Sequence, residues 1–220
     1  MKLTIDKTEV LRYLGWKGQD YSKSLDSLVE KMMADCLACA IPKSVVRAFS
    51  VAPIQEGIAV AGTPLVLTGN AIASHLQGAQ KACLLAATLG PAVDNTLRRL
   101  SYTDVTASVI FDAAATALIE AYCDQIESEA KAESIAEGFS GNFRFSPGYG
   151  DLPLELQPVL LRVLQAEKAL GLTCSPSLML TPSKSVTAVW GLFSSAQPCP
   201  DGGHAKCAGC SLSATCRFRR

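Results

Sequence analysis

The run from Asp104 to about Ala132 constrains the fold more than any other part of the chain. Val105, Val109, Ile110, Ala113, Ala114, Ala117, Leu118, Ala121, Tyr122 and Ile126 recur mostly at three- and four-residue spacing, which predicts one long helix with an apolar stripe. At ~1.5 Å per residue such a helix is on the order of 40 Å long. Several other elements must therefore pack along it, and its alanines let them approach closely.

Shorter elements surround it. Asp6–Leu14 reads as a helix ended by Gly15, and Ser22–Ala40 as a longer one ended by Pro42. Val45–Val51, Ile58–Ala61 and Leu65–Leu67 read as strands, as do Cys83–Leu89, stopped by Gly90-Pro91, and Ser185–Phe193. Asn70 is placed to cap a helix through Gln77. Gly138–Asp151 reads as a loop and Leu156–Leu170 as one amphipathic helix before Gly171. Helices interleave with strands without regular βαβ units, so the fold class is α+β.

Charge excludes some functions. Lys plus Arg total 20 and Asp plus Glu total 20, a net charge of zero. A nucleic-acid binder or a protein of anionic membrane surfaces needs a basic excess. The longest uncharged run, Gly57–Gln80, is broken by Pro64, Gly69, Asn70, His75 and Gln77, so no membrane span is expected there. Asp6 comes too early for a signal peptide, which makes a cytoplasmic location the expectation. The nine cysteines are then thiols, metal ligands or redox groups.

Three constellations can carry chemistry. In Arg144-Phe145-Ser146-Pro147-Gly148-Tyr149-Gly150-Asp151, proline and glycines shape a turn that a ligand can approach. Arg144 offers a planar fork for a carboxylate, and Tyr149 a ring and a hydroxyl. A small zwitterion would suit them, as would an ordinary turn with a surface arginine. Asp112 and Glu120, eight residues apart on the long helix, lie near one face, where a solvated edge also explains them. Cys199, Cys207, Cys210 and Cys216 have the spacing of a tetrahedral zinc or a four-iron–four-sulfur cluster, and their segment has few apolar residues to fold without one. Cys36, Cys39, Cys83, Cys123 and Cys174 read as core, and His75 as an ordinary buried histidine.

The Arg144–Tyr149 segment resembles the R-x-x-P-G-Y signature of the reactivation domain of cobalamin-dependent methionine synthase. Pro182-Ser183-Lys184-Ser185-Val186 is similar to that family's P-x-x-S-V segment entering its last central strand. The resemblance covers roughly residues 40–195 and, with the Cys-rich tail, is to the stand-alone branch of the family. It implies a C-shaped α+β domain over 41–196, with a twisted antiparallel sheet and flanking helices. N-terminal helices would occupy 1–40 and a metal-binding tail 197–220.

The resemblance also implies a function. The family's domain binds S-adenosylmethionine and docks on a cobalamin module, where an electron and a methyl group restore methylcobalamin from inactive cob(II)alamin. The partner would be a cobalamin-binding methionine synthase or another corrinoid protein, with a low-potential electron donor, and neither nucleic acid nor membrane. Arg144 would bind the ligand carboxylate and Glu120 the ammonium or sulfonium side, with Asp112 as a second acid on the same helix. Ser146 and Gly148 would give backbone contacts, and Tyr149 would lie by the reacting methyl. Trp190 stands where the family carries a ligand-contacting tyrosine. An iron–sulfur reductive activator of a corrinoid protein and a non-catalytic sensor or scaffold are the competing functions.

Overall fold

A computed structural model describes residues 3–194. Its elements are α1 (Lys7–Tyr13), α2 (Lys23–Cys39), β1 (Lys43–Ile54), β2 (Gly57–Val60), β3 (Val66–Leu67), α3 (Asn70–His75), β4 (Lys81–Thr88), α4 (Pro91–Thr103), α5 (Val105–Ala136), β5 (Phe139–Gly141), α6 (Gln157–Leu164), α7 (Ala166–Leu170), β6 (Thr173–Cys174), β7 (Leu180–Thr181) and β8 (Ser185–Ser194). Six strands form one sheet in the order β3-β2-β1-β4-β8-β5, and every neighbouring pair is antiparallel. A small ribbon of β6 and β7 stands apart. The α+β class follows directly.

Both faces of the central strands are covered. On one face Cys83, Leu85, Ala87, Ala188, Trp190 and Leu192 meet Phe111, Ala114 and Leu118 of α5, with Met32 and Cys36 of α2 and Val10 of α1 in the same core. On the other, Ala82, Leu84, Ala86 and Val189 meet Leu160, Leu161 and Leu164 of α6 and Ala166 and Leu170 of α7. The period-two alternation of β4 and β8 thus sorts side chains into two cores, which explains why both strands read as nearly continuous apolar runs.

The helix starts obey local chemistry. Asp6, Ser22 and Asp104 cap α1, α2 and α5 through their side-chain oxygens. By length and composition α5 could cross a membrane, but half of its most apolar window is buried inside the protein, as in a core helix. Cys36, Cys83 and Cys123 are buried, and burial pushes each thiol up to about 12.

Four readings need correction. Pro91–Thr103 is helical, beginning with proline in its first turn, although Gly90-Pro91 read only as a stop. The 156–170 helix breaks at Gln165, which takes a left-handed conformation (φ 53°) so that both halves keep their leucines on the sheet. Asn70 does not cap α3, since Asp151, 81 residues away, does so with both carboxylate oxygens. The supposed loop after Gly138 begins as an edge strand, β5.

Candidate functional site

The site grows from an irregularity on that edge. Phe139, Ser140 and Gly141 pair with Ser194, Phe193 and Leu192, but Phe145 then bridges Val189. The Asn142 N–H reaches the Gly191 carbonyl at 3.3 Å, so Phe143 and Arg144 together oppose the single residue Trp190. This is a β-bulge. Its effect is to flip every later side chain to the other face. A side chain at Gly141 would point at Lys131 of α5, and without the extra residue Phe143 and Phe145 would follow it. Instead their rings lie 4.5 and 5.2 Å from that of His75 in α3, and Arg144 is turned toward α5.

Side chains hold the bulge in place. Asn142 Oδ1 accepts from the Gly191 N–H at 2.7 Å, and Asn142 Nδ2 donates to the His75 carbonyl at 2.7 Å. His75 Nε2 donates to the Phe143 carbonyl at 2.8 Å. His75 is therefore a satisfied buried residue, as expected, and one that braces the arginine from behind.

Arg144 meets three carboxylates of α5. Its Nη2 donates to Asp124 Oδ1 at 2.9 Å and to Glu120 Oε2 at 3.3 Å. Its Nη1 lies 3.1 Å from Glu127 Oε2, an ion pair in which Nη1 makes no aligned hydrogen bond. Positions 120, 124 and 127 share one helix face, so the E-x3-D-x2-E spacing was a readable signal for the two acids that sequence reasoning missed. The Arg144 side chain is only 8% exposed. Burial disfavours its charge, but neighbouring Cys123, Glu127, Asp124 and Glu120 outweigh this and hold the guanidinium above its ordinary value.

The chain beyond Arg144 forms a tight turn. The Tyr149 N–H bonds the Ser146 carbonyl at 3.0 Å, with Pro147 and Gly148 as the central residues and Gly148 at φ 89°, the proline–glycine arrangement of a type II turn. Ser146 is half-buried, whereas Gly148 and Tyr149 are exposed. The turn is moored at its far end. Asp151 Oδ2 and Oδ1 accept from the N–H groups of Asn70 and Ala71 at 2.6 and 2.9 Å, and these bonds, Ala71's first, hold its carboxyl below the usual aspartate range. Gly69 permits the contact, because a Cβ there would lie 2.6 Å from Asp151 Oδ1.

Two other expected site residues lie elsewhere. Asp112 pairs with Lys184 at 2.8 Å, and Lys184 also donates to Thr116 at 2.9 Å. This pair sits ~12 Å along α5 from Glu120. The P-S-K-S-V segment around it is an anchor, since Ser183 bonds Asp94 of α4 through both its N–H and its hydroxyl. Trp190 has no exposed surface and its indole lies in the α5-side core, its Nε1 without a hydrogen-bond partner. It is placed to support Arg144 across the bulge, and a buried ring offers a ligand no face. Among the described residues no group of three or more His, Cys, Asp or Glu could hold a metal. Cys199, Cys207, Cys210 and Cys216 lie outside the described residues.

The fold defines a class: an α+β domain with an antiparallel sheet between two helical layers and an edge bulge that aims an arginine at the longest helix. No family model matches the chain, and no curated protein matches it. Among solved structures it is similar to a crystal structure of the MetH reactivation domain bound to AdoHcy, with a TM-score of 0.64 over 88% of this chain and 75% of that one. Sequence identity is 17%, so the likeness is one of fold, and at that level it agrees with the resemblance read from the R-x-x-P-G-Y segment.

Proposed function

We infer that the chain is a reactivation factor that binds S-adenosylmethionine and supports reductive methylation of the cobalamin of a separate methionine synthase or other corrinoid methyltransferase. The observation that carries this reading is Arg144. A bulge turns it out of register to face α5 in a fold similar to a domain that binds AdoHcy, a molecule with the same α-amino-acid end as S-adenosylmethionine.

The residues present fit such a ligand. Arg144 presents a buried guanidinium suited to a carboxylate. Glu120 and Asp124, each roughly two-fifths exposed, suit an ammonium or sulfonium. The exposed backbone at Gly148 leaves room beside the turn, and Ser146 borders it. Tyr149, exposed and 6.3 Å from the Phe145 ring between centroids, stands at the rim where a docked partner would meet it. Asp112 and Trp190 are left out of this site, the first because it serves Lys184 and the second because it is buried. Bound S-adenosylmethionine would supply the methyl group, and the corrinoid partner its acceptor. The protein's part is to orient the ligand and exclude water.

Calorimetric titration with S-adenosylmethionine, with and without a cobalamin-loaded partner, tests the reading. Saturable binding that the partner strengthens is expected, and no binding in either case would overturn it. The metal centre expected from Cys199, Cys207, Cys210 and Cys216 is a separate proposal. Elemental analysis should find stoichiometric zinc or iron, lost when Cys207 and Cys210 are both replaced.

A further inference from the structure

Glu127 is the buried one of the three acids that meet Arg144, and both of its oxygens are engaged. Its Oε2 lies 3.1 Å from Arg144 Nη1, and its Oε1 accepts from Lys131 Nζ at 2.7 Å. Lys131 stands one turn further along α5, with the acid N-terminal to the base, the favourable order for such a pair. The lysine stem is confined as well. A Cβ on Gly141 of β5 would lie 3.1 Å from both Cγ and Cε of Lys131, so the methylenes run close against the bare backbone of the edge strand. Lys131 thus ties α5 to the strand that delivers Arg144 three residues later.

We propose that Lys131 is a positioning residue for the ligand: by gripping Glu127 at one oxygen and packing on Gly141, it fixes the plane in which Arg144 meets the α-carboxylate of an amino-acid-bearing ligand. This rests on the reading of Arg144 as the carboxylate site. Arg144 Nη1 makes no aligned hydrogen bond, so its pairing with Glu127 is one of charge and does not by itself set the direction of that carboxylate. The hydrogen bond from Lys131 does. Without it the carboxylate can turn about its last bond, a broad and soft torsion. A guanidinium loses more by such a turn than a point charge would, because its planar fork must stay in line with two acceptors of the ligand. Lys131 acts through Glu127 and needs no contact with the ligand.

The test titrates the full chain with S-adenosylhomocysteine and with 5′-methylthioadenosine, a similar nucleoside without the amino-acid end. Lys131→Met keeps the stem against Gly141 and removes the ammonium. It should bind S-adenosylhomocysteine roughly three- to tenfold more weakly, a part of what losing the arginine itself costs. Binding of 5′-methylthioadenosine should not change, and Lys131→Arg should recover most of the loss. Wild-type binding of S-adenosylhomocysteine by Lys131→Met overturns the proposal. So does a loss that both ligands share equally, which marks a merely structural residue, or one that Lys131→Arg does not recover. Arg144→Ala separates the two claims. If it binds S-adenosylhomocysteine like the wild type, the carboxylate reading fails and the proposal with it. If it binds weakly while Lys131→Met binds like the wild type, the reading stands and the role of Lys131 alone falls. Adding Lys131→Met to Arg144→Ala should weaken binding no further. Should circular dichroism show the Met variant unfolded, the double variant Lys131→Met, Glu127→Gln strands no buried charge and carries the same expectation.

Discussion

Asn142 bonds Gly191 twice, its own N–H reaching the glycine carbonyl at 3.3 Å and its side-chain oxygen accepting the glycine N–H at 2.7 Å. The side chain thereby replaces the backbone partner that the bulge removes from the ladder. Its amide nitrogen also satisfies the His75 carbonyl, and Asn142 is fully buried.

Asn142→Ala should therefore strand a buried N–H and a buried carbonyl. Each costs ~1–3 kcal/mol, so urea unfolding should show a loss of about 2–6 kcal/mol. Because the bulge aims Arg144, the variant should also bind S-adenosylmethionine more weakly at temperatures where it is still folded. Wild-type stability would show that the register does not depend on this side chain.

Gly69→Ala probes the mooring of the 146–151 turn. Gly69 sits at φ 125°, and the added methyl would lie 2.6 Å from Asp151 Oδ1 and 2.7 Å from its carbonyl oxygen. Strain of this kind costs on the order of 1–3 kcal/mol. Thermal melts read the loss, and faster amide exchange at Asn70 and Ala71 would place it at this contact.

Asp151 gives the contact a pH dependence of known sign. Its folded-state carboxyl is depressed below the ordinary 3.8, chiefly by the Ala71 and Asn70 N–H bonds. Its contribution is complete above the unfolded-state value and is lost as pH falls through the folded-state one. Amide protection at Asn70 and Ala71 should decline over that acid range in the wild type. Asp151→Asn should lack the acid-dependent step.

Tyr149→Phe separates binding from rate. Tyr149 is an exposed residue, whereas the Arg144 guanidinium is buried against Glu120, Asp124 and Glu127, so affinity for S-adenosylmethionine should stay nearly intact. A group acting mainly in the transition state lowers the rate when removed. Single-turnover loss of the cob(II)alamin spectrum of a partner should slow. An unchanged rate would leave Tyr149 a packing residue.

Much of this architecture was legible because period and punctuation agree. Ser22 and Asp104 cap the two helices whose apolar residues repeat at helical spacing, and the β8 sequence alternates between two cores. The turn at Pro147-Gly148 was likewise written in its residues. Long-range relations were not. Nothing near Asn70 says that a carboxylate 81 residues away caps α3. A bulge is a one-residue slip between strands, and no local pattern marks Asn142 as its clamp. Trp190 could be aligned with a ligand-contacting position, but only the burial of β8 shows that its indole is core. Asp124 and Glu127 had the right spacing to join Glu120, yet in a helix rich in surface acids that spacing gains meaning only once Arg144 is seen to face it.

The central claim is that Arg144 is the anchor for an α-amino-acid ligand, and calorimetry with S-adenosylmethionine on wild type, Arg144→Ala and Arg144→Lys tests it most directly. Losing a charge-assisted hydrogen bond costs ~1.5–3 kcal/mol, which is roughly tenfold or more in affinity. The account predicts a drop of that size for Arg144→Ala and partial recovery for Arg144→Lys, which keeps the charge and loses the fork. A folded Arg144→Ala protein that binds S-adenosylmethionine as tightly as the wild type would contradict it.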